Sequence, residues 1–158
     1  MKRLKGILIS GFIASALVCS SCTKTSEPDT EYPVIDLSFN ETYPVQCSEL
    51  MRGDTITFKA RFTDNAELGG YSLDVHHNFD HHTHSTEIND CDLDPEKEAV
   101  NPMLLIESYT IPSGLQEYVA EQTIVIPTDV DTGDYHFSVL LTDYEGWQTI
   151  KGLSIKIN

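Results

Sequence analysis

Asp131-Thr132-Gly133-Asp134-Tyr135-His136-Phe137-Ser138-Val139-Leu140-Leu141-Thr142-Asp143 is the stretch that decides the fold. Tyr135, Phe137, Val139 and Leu141 alternate with His136, Ser138 and Thr142. Successive side chains of a strand point to opposite faces, so this period of two describes a strand with one buried face. Its entry carries a second signal. Asp131, Gly133 and Tyr135 have the D-x-G-x-Y spacing of a tyrosine corner, in which the phenol ties the preceding loop to the strand. A plain core aromatic at Tyr135 is the alternative.

The same alternation recurs outward from this strand. It predicts strands over 34–39, 55–63, 70–79, 103–110, 117–126, 134–143 and 148–157. Ile56, Phe58, Ala60 and Phe62 form one apolar face, and Tyr71, Leu73 and Val75 form another. Ile150 has the opposite parity to Leu153, Ile155 and Ile157, which predicts a bulge near Gly152. Arg52-Gly53-Asp54, Thr63-Asp64-Asn65, Pro127-Thr128-Asp129 and Glu145-Gly146 punctuate the strands as turns. About seven strands without intervening helices predict an all-β chain folded as an immunoglobulin-like antiparallel β-sandwich. In that arrangement the end of the 70–79 strand lies beside the start of the 134–143 strand.

The chain has 158 residues, enough for one ordinary domain. Its formal charge of −15 excludes a sequence-independent nucleic-acid binder, which needs a basic face to displace counterions. The first residues read as an address. Lys2, Arg3 and Lys5 precede an uncharged apolar or small run from Gly6 to Cys19, too short to span a bilayer as a helix. Ser20-Ser21-Cys22 then resembles a bacterial lipobox, although Cys19 stands where Leu is usual. Residues 1–21 are accordingly expected to be a cleaved lipoprotein signal peptide, with Cys22 the lipid-bearing first residue. An ordinary secretory signal is the alternative. Residues 22–32 read as a flexible acidic tether, similar to the surface-export signal of Bacteroides-type lipoproteins, and 33–158 as the sandwich domain. The processed chain would carry 7 basic and 25 acidic side chains, a charge of −18.

Processing leaves Cys47 and Cys91, and two cysteines outside the cytoplasm are expected to pair. A free thiol or a thiolate metal ligand is the alternative.

Five of the six histidines fall in His76-His77-Asn78-Phe79-Asp80-His81-His82-Thr83-His84. Neutral imidazoles bind Zn²⁺, Cu²⁺ and Ni²⁺, and several on one short segment make a chelate. Strand parity divides them. His77 and Phe79 share the inward face with Val75, whereas Asp74, His76 and Asn78 face outward. His136 also faces outward, at the start of the neighbouring strand. His76 and His136 are therefore expected as the core of a metal site, completed by Asp74, Asp80, His81, His82 or His84. The connection from Asp80 to Pro102 also holds Asp90, Asp92 and Asp94, whose spacing begins like a calcium loop, but Pro95 stands where Gly is needed. It reads as solvated acid.

The histidine run, together with Gly133-Asp134-Tyr135-His136-Phe137 and Thr142-Asp143-Tyr144-Glu145-Gly146, resembles a family of small Bacteroides-type lipoproteins catalogued as a domain of unknown function. The resemblance covers about residues 33–157 and implies an immunoglobulin-like fold and a location in the envelope, with no activity attached.

Three functional classes follow. The first is an outer-membrane lipoprotein, facing the periplasm or the cell surface, that binds Zn²⁺ or Cu²⁺, with Ni²⁺ as a further candidate. The second is an interaction module for an envelope protein or glycan in which the histidines are surface polar groups. The third is a metalloenzyme, for which no catalytic residue is assigned. Gly-x-Ser-x-Gly and phosphate-binding glycine motifs are absent.

Overall fold

The computed structural model describes residues 28–82 and 91–158. The expected lipid-bearing Cys22, together with His84 and Asp90, lies outside the described residues. Among the described residues there are eight strands: β1 (Val34–Asp36), β2 (Ser48–Leu50), β3 (Thr55–Thr63), β4 (Leu68–His77), β5 (Leu105–Thr110), β6 (Glu117–Val125), β7 (Gly133–Asp143) and β8 (Gln148–Ile157). They form two sheets, one ordered β1-β3-β6 and the other β2-β8-β7-β4-β5. All pairings are antiparallel except β2 with β8, which is parallel. This is the β-sandwich expected from the alternation.

The facing sheets bury the apolar parity of each strand. Ile56, Phe58, Ala60 and Phe62 of β3 meet Tyr71, Leu73 and Val75 of β4 and Phe137, Val139 and Leu141 of β7. Aromatic rings link the layers. Phe58 stacks on Phe137 at 5.7 Å between centroids, and Phe62 lies 5.1 Å from Tyr71. Each such ring contributes about 1.5–3 kcal/mol by leaving water. The Tyr71 hydroxyl, carried into this core, accepts a hydrogen bond from Gln122 Nε2 at 2.7 Å.

The tyrosine corner is present. Tyr135 Oη donates to the Asp131 carbonyl at 2.6 Å and accepts from the Met103 N–H at 3.1 Å. The second bond has a consequence for β5, which was expected from 103. Met103 gives its N–H to the phenol instead of to a ladder, and the strand begins at Leu105. Gly133 sits at φ 119°, a conformation that favours glycine, where the corner turns into β7.

Three expectations are corrected. β2 is an eighth strand, too short at three residues to show a period of two. β1 stops at Asp36 because the Asp36 carboxylate accepts from the Ser38 N–H and hydroxyl and turns the chain out of the sheet. No bulge occurs at Gly152: β7 and β8 stay in unbroken register from Gly133↔Ile157 to Thr142↔Gln148, and Ile150 faces solvent at 49% exposure. The irregularity lies instead between Leu68 and Gly70 of β4. There a Cβ on Gly69 would stand 2.5 Å from the Asp143 carbonyl oxygen, so the close approach of β4 to the end of β7 requires glycine.

Candidate metal centre

The antiparallel register of β4 and β7 makes His76 the direct partner of His136. Both belong to the parity that points away from the core, and their rings lie 5.2 Å apart at 60°. The chain beyond β4 then turns back over this pair. The Asn78 N–H donates to the Asp134 carbonyl at 2.8 Å, and His81 adopts a left-handed φ of 53°. This brings His82 across the outer face of the sheet, its ring 4.8 Å from His136 and 5.6 Å from His76. One ring nitrogen from each of His76, His82 and His136 lies within 4.8 Å of those of the other two.

The cover changes the expected environment of His136. It occupies the outer face, but it is 0% exposed because the returning segment closes over it. Asn78, expected to face outward, is buried by the same turn. His76 and His82 keep side-chain exposures of 26% and 36%, so solvent reaches the cluster through them.

Hydrogen bonds fix which nitrogen of each ring holds the proton. Asp74 Oδ1 lies 2.5 Å from His76 Nδ1, and Asp80 Oδ1 lies 2.5 Å from His82 Nδ1. A carboxylate accepts, so in both neutral rings Nδ1 carries the proton and Nε2 the lone pair. The same bond from His82 holds the Asp80 carboxyl below its ordinary value. His136 Nε2 donates to the His82 carbonyl at 3.1 Å, which leaves the lone pair of its neutral ring on Nδ1. Carboxylates on the far nitrogen of metal-binding imidazoles orient the rings and raise their basicity. Asp74 and Asp80, expected among the ligands, each hold the Nδ1 of a histidine ring, His76 and His82 respectively.

The other described histidines, His77 and His81, go elsewhere. His81 Nε2 donates to the Asp94 carbonyl at 2.8 Å, and its Nδ1 lies 3.7 Å from Glu96, so it fastens the following segment instead of joining the cluster. His77, expected inside, is half-buried against Phe79, with its Nδ1 shut off from water and without a hydrogen-bond partner among the described residues. Among the loop histidines, one signal singles out His82: Asp80-x-His82 repeats the spacing of Asp74-x-His76.

The surroundings hold the returning segment in place. Cys47 and Cys91 form the expected disulfide, their Cα atoms 5.5 Å apart, and so tie the middle of the long connection to the start of β2. Buried Asp134 accepts from the Asp94 N–H at 2.7 Å, and Lys156 pairs with Asp94 at 2.7 Å. That hydrogen bond raises the Lys156 ammonium above its ordinary value. Lys97 lies over the Phe79 ring at 4.3 Å. Of the acidic run in the long connection, Asp94 Oδ1 accepts from Lys156 Nζ.

Fold and cluster together define a β-sandwich domain with three histidines gathered on the outer face of its larger sheet. The chain belongs to the family described as a domain of unknown function (DUF4625), whose model matches residues 20–158. A search of the curated proteins finds no match.

Proposed function

We propose that this protein is an envelope lipoprotein that binds a transition metal through His76, His82 and His136, in order to capture, buffer or pass it on. The observation that carries this reading is the convergence of three imidazole nitrogens within 4.8 Å, drawn from two strands and a loop. Zn²⁺ bound by imidazole at about 2.0–2.1 Å in tetrahedral geometry holds its nitrogens about 3.4 Å apart. Closing the cluster to that spacing asks for movements on the order of 1 Å, and His82 is the member carried on a loop rather than on a strand. Imidazole donors suit Zn²⁺ and Cu²⁺, with Ni²⁺ next. Three protein ligands leave a fourth position for water, for a residue of the His84 region or for a donor on an acceptor molecule, which suits transfer as well as storage. Two of the ligands sit on paired strands, so little ordering opposes binding.

The lipid on Cys22 would hold the domain at the outer membrane, facing the periplasm or the cell surface. A nucleic-acid partner is disfavoured by the charge of −15. Calorimetric titration of the metal-stripped protein with Zn²⁺ and Cu²⁺ tests the reading, with elemental analysis of protein from its native host, purified without a histidine tag. One equivalent bound tightly supports it, and no saturable heat with either ion rejects it.

A second reading, an interaction module for an envelope protein or glycan, draws on the apolar residues Leu104 and Ile106, which are 69% and 66% exposed at the edge strand β5. Partner binding that survives chelation would favour it.

A further inference from the structure

The opposite end of β7 holds a second group of donors, all of them oxygen. Asp143 closes β7, Glu145 lies in the connection to β8, and Asp29 belongs to the segment that leads into β1. One carboxylate oxygen of each lies within 4.8 Å of those of the other two. Asp143 is 3% exposed. Its Oδ1 accepts from the Gly146 and Trp147 N–H groups at 2.6 and 2.8 Å. Its Oδ2 is shut off from water and has no hydrogen-bond partner among the described residues. Asp29 repeats the pattern. Its Oδ1 accepts from the Glu31 N–H and from Asn65 Nδ2, while its Oδ2 is buried without a partner among the described residues. Among the described residues, no ion pair brings a Lys or Arg to any of the three carboxylates. Buried acceptors without donors are costly, and ionised ones more so, unless a cation compensates them.

We propose that Asp29, Asp143 and Glu145 bind a calcium ion that fastens the entry segment to the β7–β8 connection. An all-carboxylate set is hard and selects an oxygen-binding cation over the metals that favour imidazole. Calcium holds its oxygens at about 2.3–2.6 Å, so ligands on opposite sides of the ion stand up to about 5 Å apart, a span that the cluster matches. Magnesium needs a tighter octahedron. Water fills the remaining positions, which puts the affinity in the range of extracellular modules, about 10⁻⁴–10⁻³ M. The charge of −15 favours cation approach. Asp143 lies seven positions along β7 from His136, about 23 Å on an extended strand, so this site is independent of the histidine cluster.

Trp147 reports on the site. It is the one tryptophan of the chain. Its backbone N–H is bonded to Asp143, its Nε1 donates to the Asp29 carbonyl at 3.0 Å, and its ring meets Tyr32 edge-on at 5.0 Å. The experiment titrates the purified, EDTA-stripped protein with CaCl₂ to about 10 mM while following tryptophan fluorescence and thermal melting. The expected result is a saturable fluorescence change, with a melting temperature raised by about 5 °C and a much weaker response to MgCl₂. Glu145 is exposed, so the E145Q protein should fold and lose at least about tenfold in calcium affinity. D143N should lose more, and H136A should leave the calcium response unchanged. A flat fluorescence and melting response in the wild-type protein, or an E145Q protein that titrates like wild type, overturns the site.

Discussion

His76 and His136 are register partners across β4 and β7, their rings 5.2 Å apart, although sixty residues separate them in the chain. The sheet positions both, and the ring of His82 is laid against them by the turn after β4. The cluster therefore combines two fixed donors with one adjustable donor. Its members should contribute unequally to folding and to binding.

His82 is half-exposed on the returning segment, so H82A should fold normally and lower Zn²⁺ and Cu²⁺ affinity by at least about 100-fold, beyond what loss of an orienting group costs. H136A should do the same to affinity and also lower stability, because it empties a fully buried position. Calorimetric titration beside urea melts separates the two effects. Wild-type affinity in both variants would refute the three-histidine site.

Asp74 and Asp80 orient rings through their far nitrogens. D74N and D80N should each weaken metal binding by about 10–100-fold with little change in circular dichroism. Were either carboxylate a direct ligand, its loss would match that of H82A. The comparison of the three dissociation constants decides between the roles.

The disulfide closes a loop of 44 residues between Cys47 and Cys91. Replacing both cysteines by serine should cost about 2–5 kcal/mol, read as a lower urea midpoint. Metal affinity should also fall, because the connection that continues from the segment covering His136 is no longer tied at Cys91. Unchanged affinity in the folded double variant would show that the Lys156 and Lys97 contacts suffice to hold it.

Tyr135 Oη joins the Asp131 carbonyl to the Met103 N–H inside the protein. Y135F leaves both groups without that partner and should destabilise the domain by about 1–3 kcal/mol. A urea midpoint equal to that of wild type would mean that the corner contributes nothing to stability.

Asp36 links β1 to β3. The Ser38 hydroxyl and then the Arg61 guanidinium hold its carboxyl down at about 2. An unfolded aspartate titrates near 3.9, so the folded value is the depressed one. The stability this group supplies is fully present above the unfolded value and is lost as pH falls toward 2. D36N should therefore flatten the fall of stability between about pH 5 and pH 2. Denaturant midpoints measured across that range would show an unchanged slope if Asp36 is not among the groups responsible.

Alternation along single strands was legible in the sequence because a strand in contact with a core records its burial every second residue. That was enough for the sandwich, for the apolar faces of β3, β4 and β7, for the tyrosine corner and for the pairing of His76 with His136. β2 escaped because three residues record no period, and Ile150 suggested a bulge because an exposed isoleucine looks like a core residue in sequence. The choice of His82 over His81 was decided by tertiary structure. A left-handed turn at His81 and its bond to the Asp94 carbonyl send one ring to the long connection and its neighbour to the cluster. The burial of His136 has the same origin, since parity names the face of a sheet a residue occupies but not what folds over that face. Asp29 and Asp143 lie 114 positions apart, and only the docking of the entry segment beside Trp147 brings their carboxylates together. Local patterning thus determined the elements and the faces of this protein, whereas contacts between segments distant in sequence determined its two clusters, because no repeat within a strand encodes where a returning loop will lie.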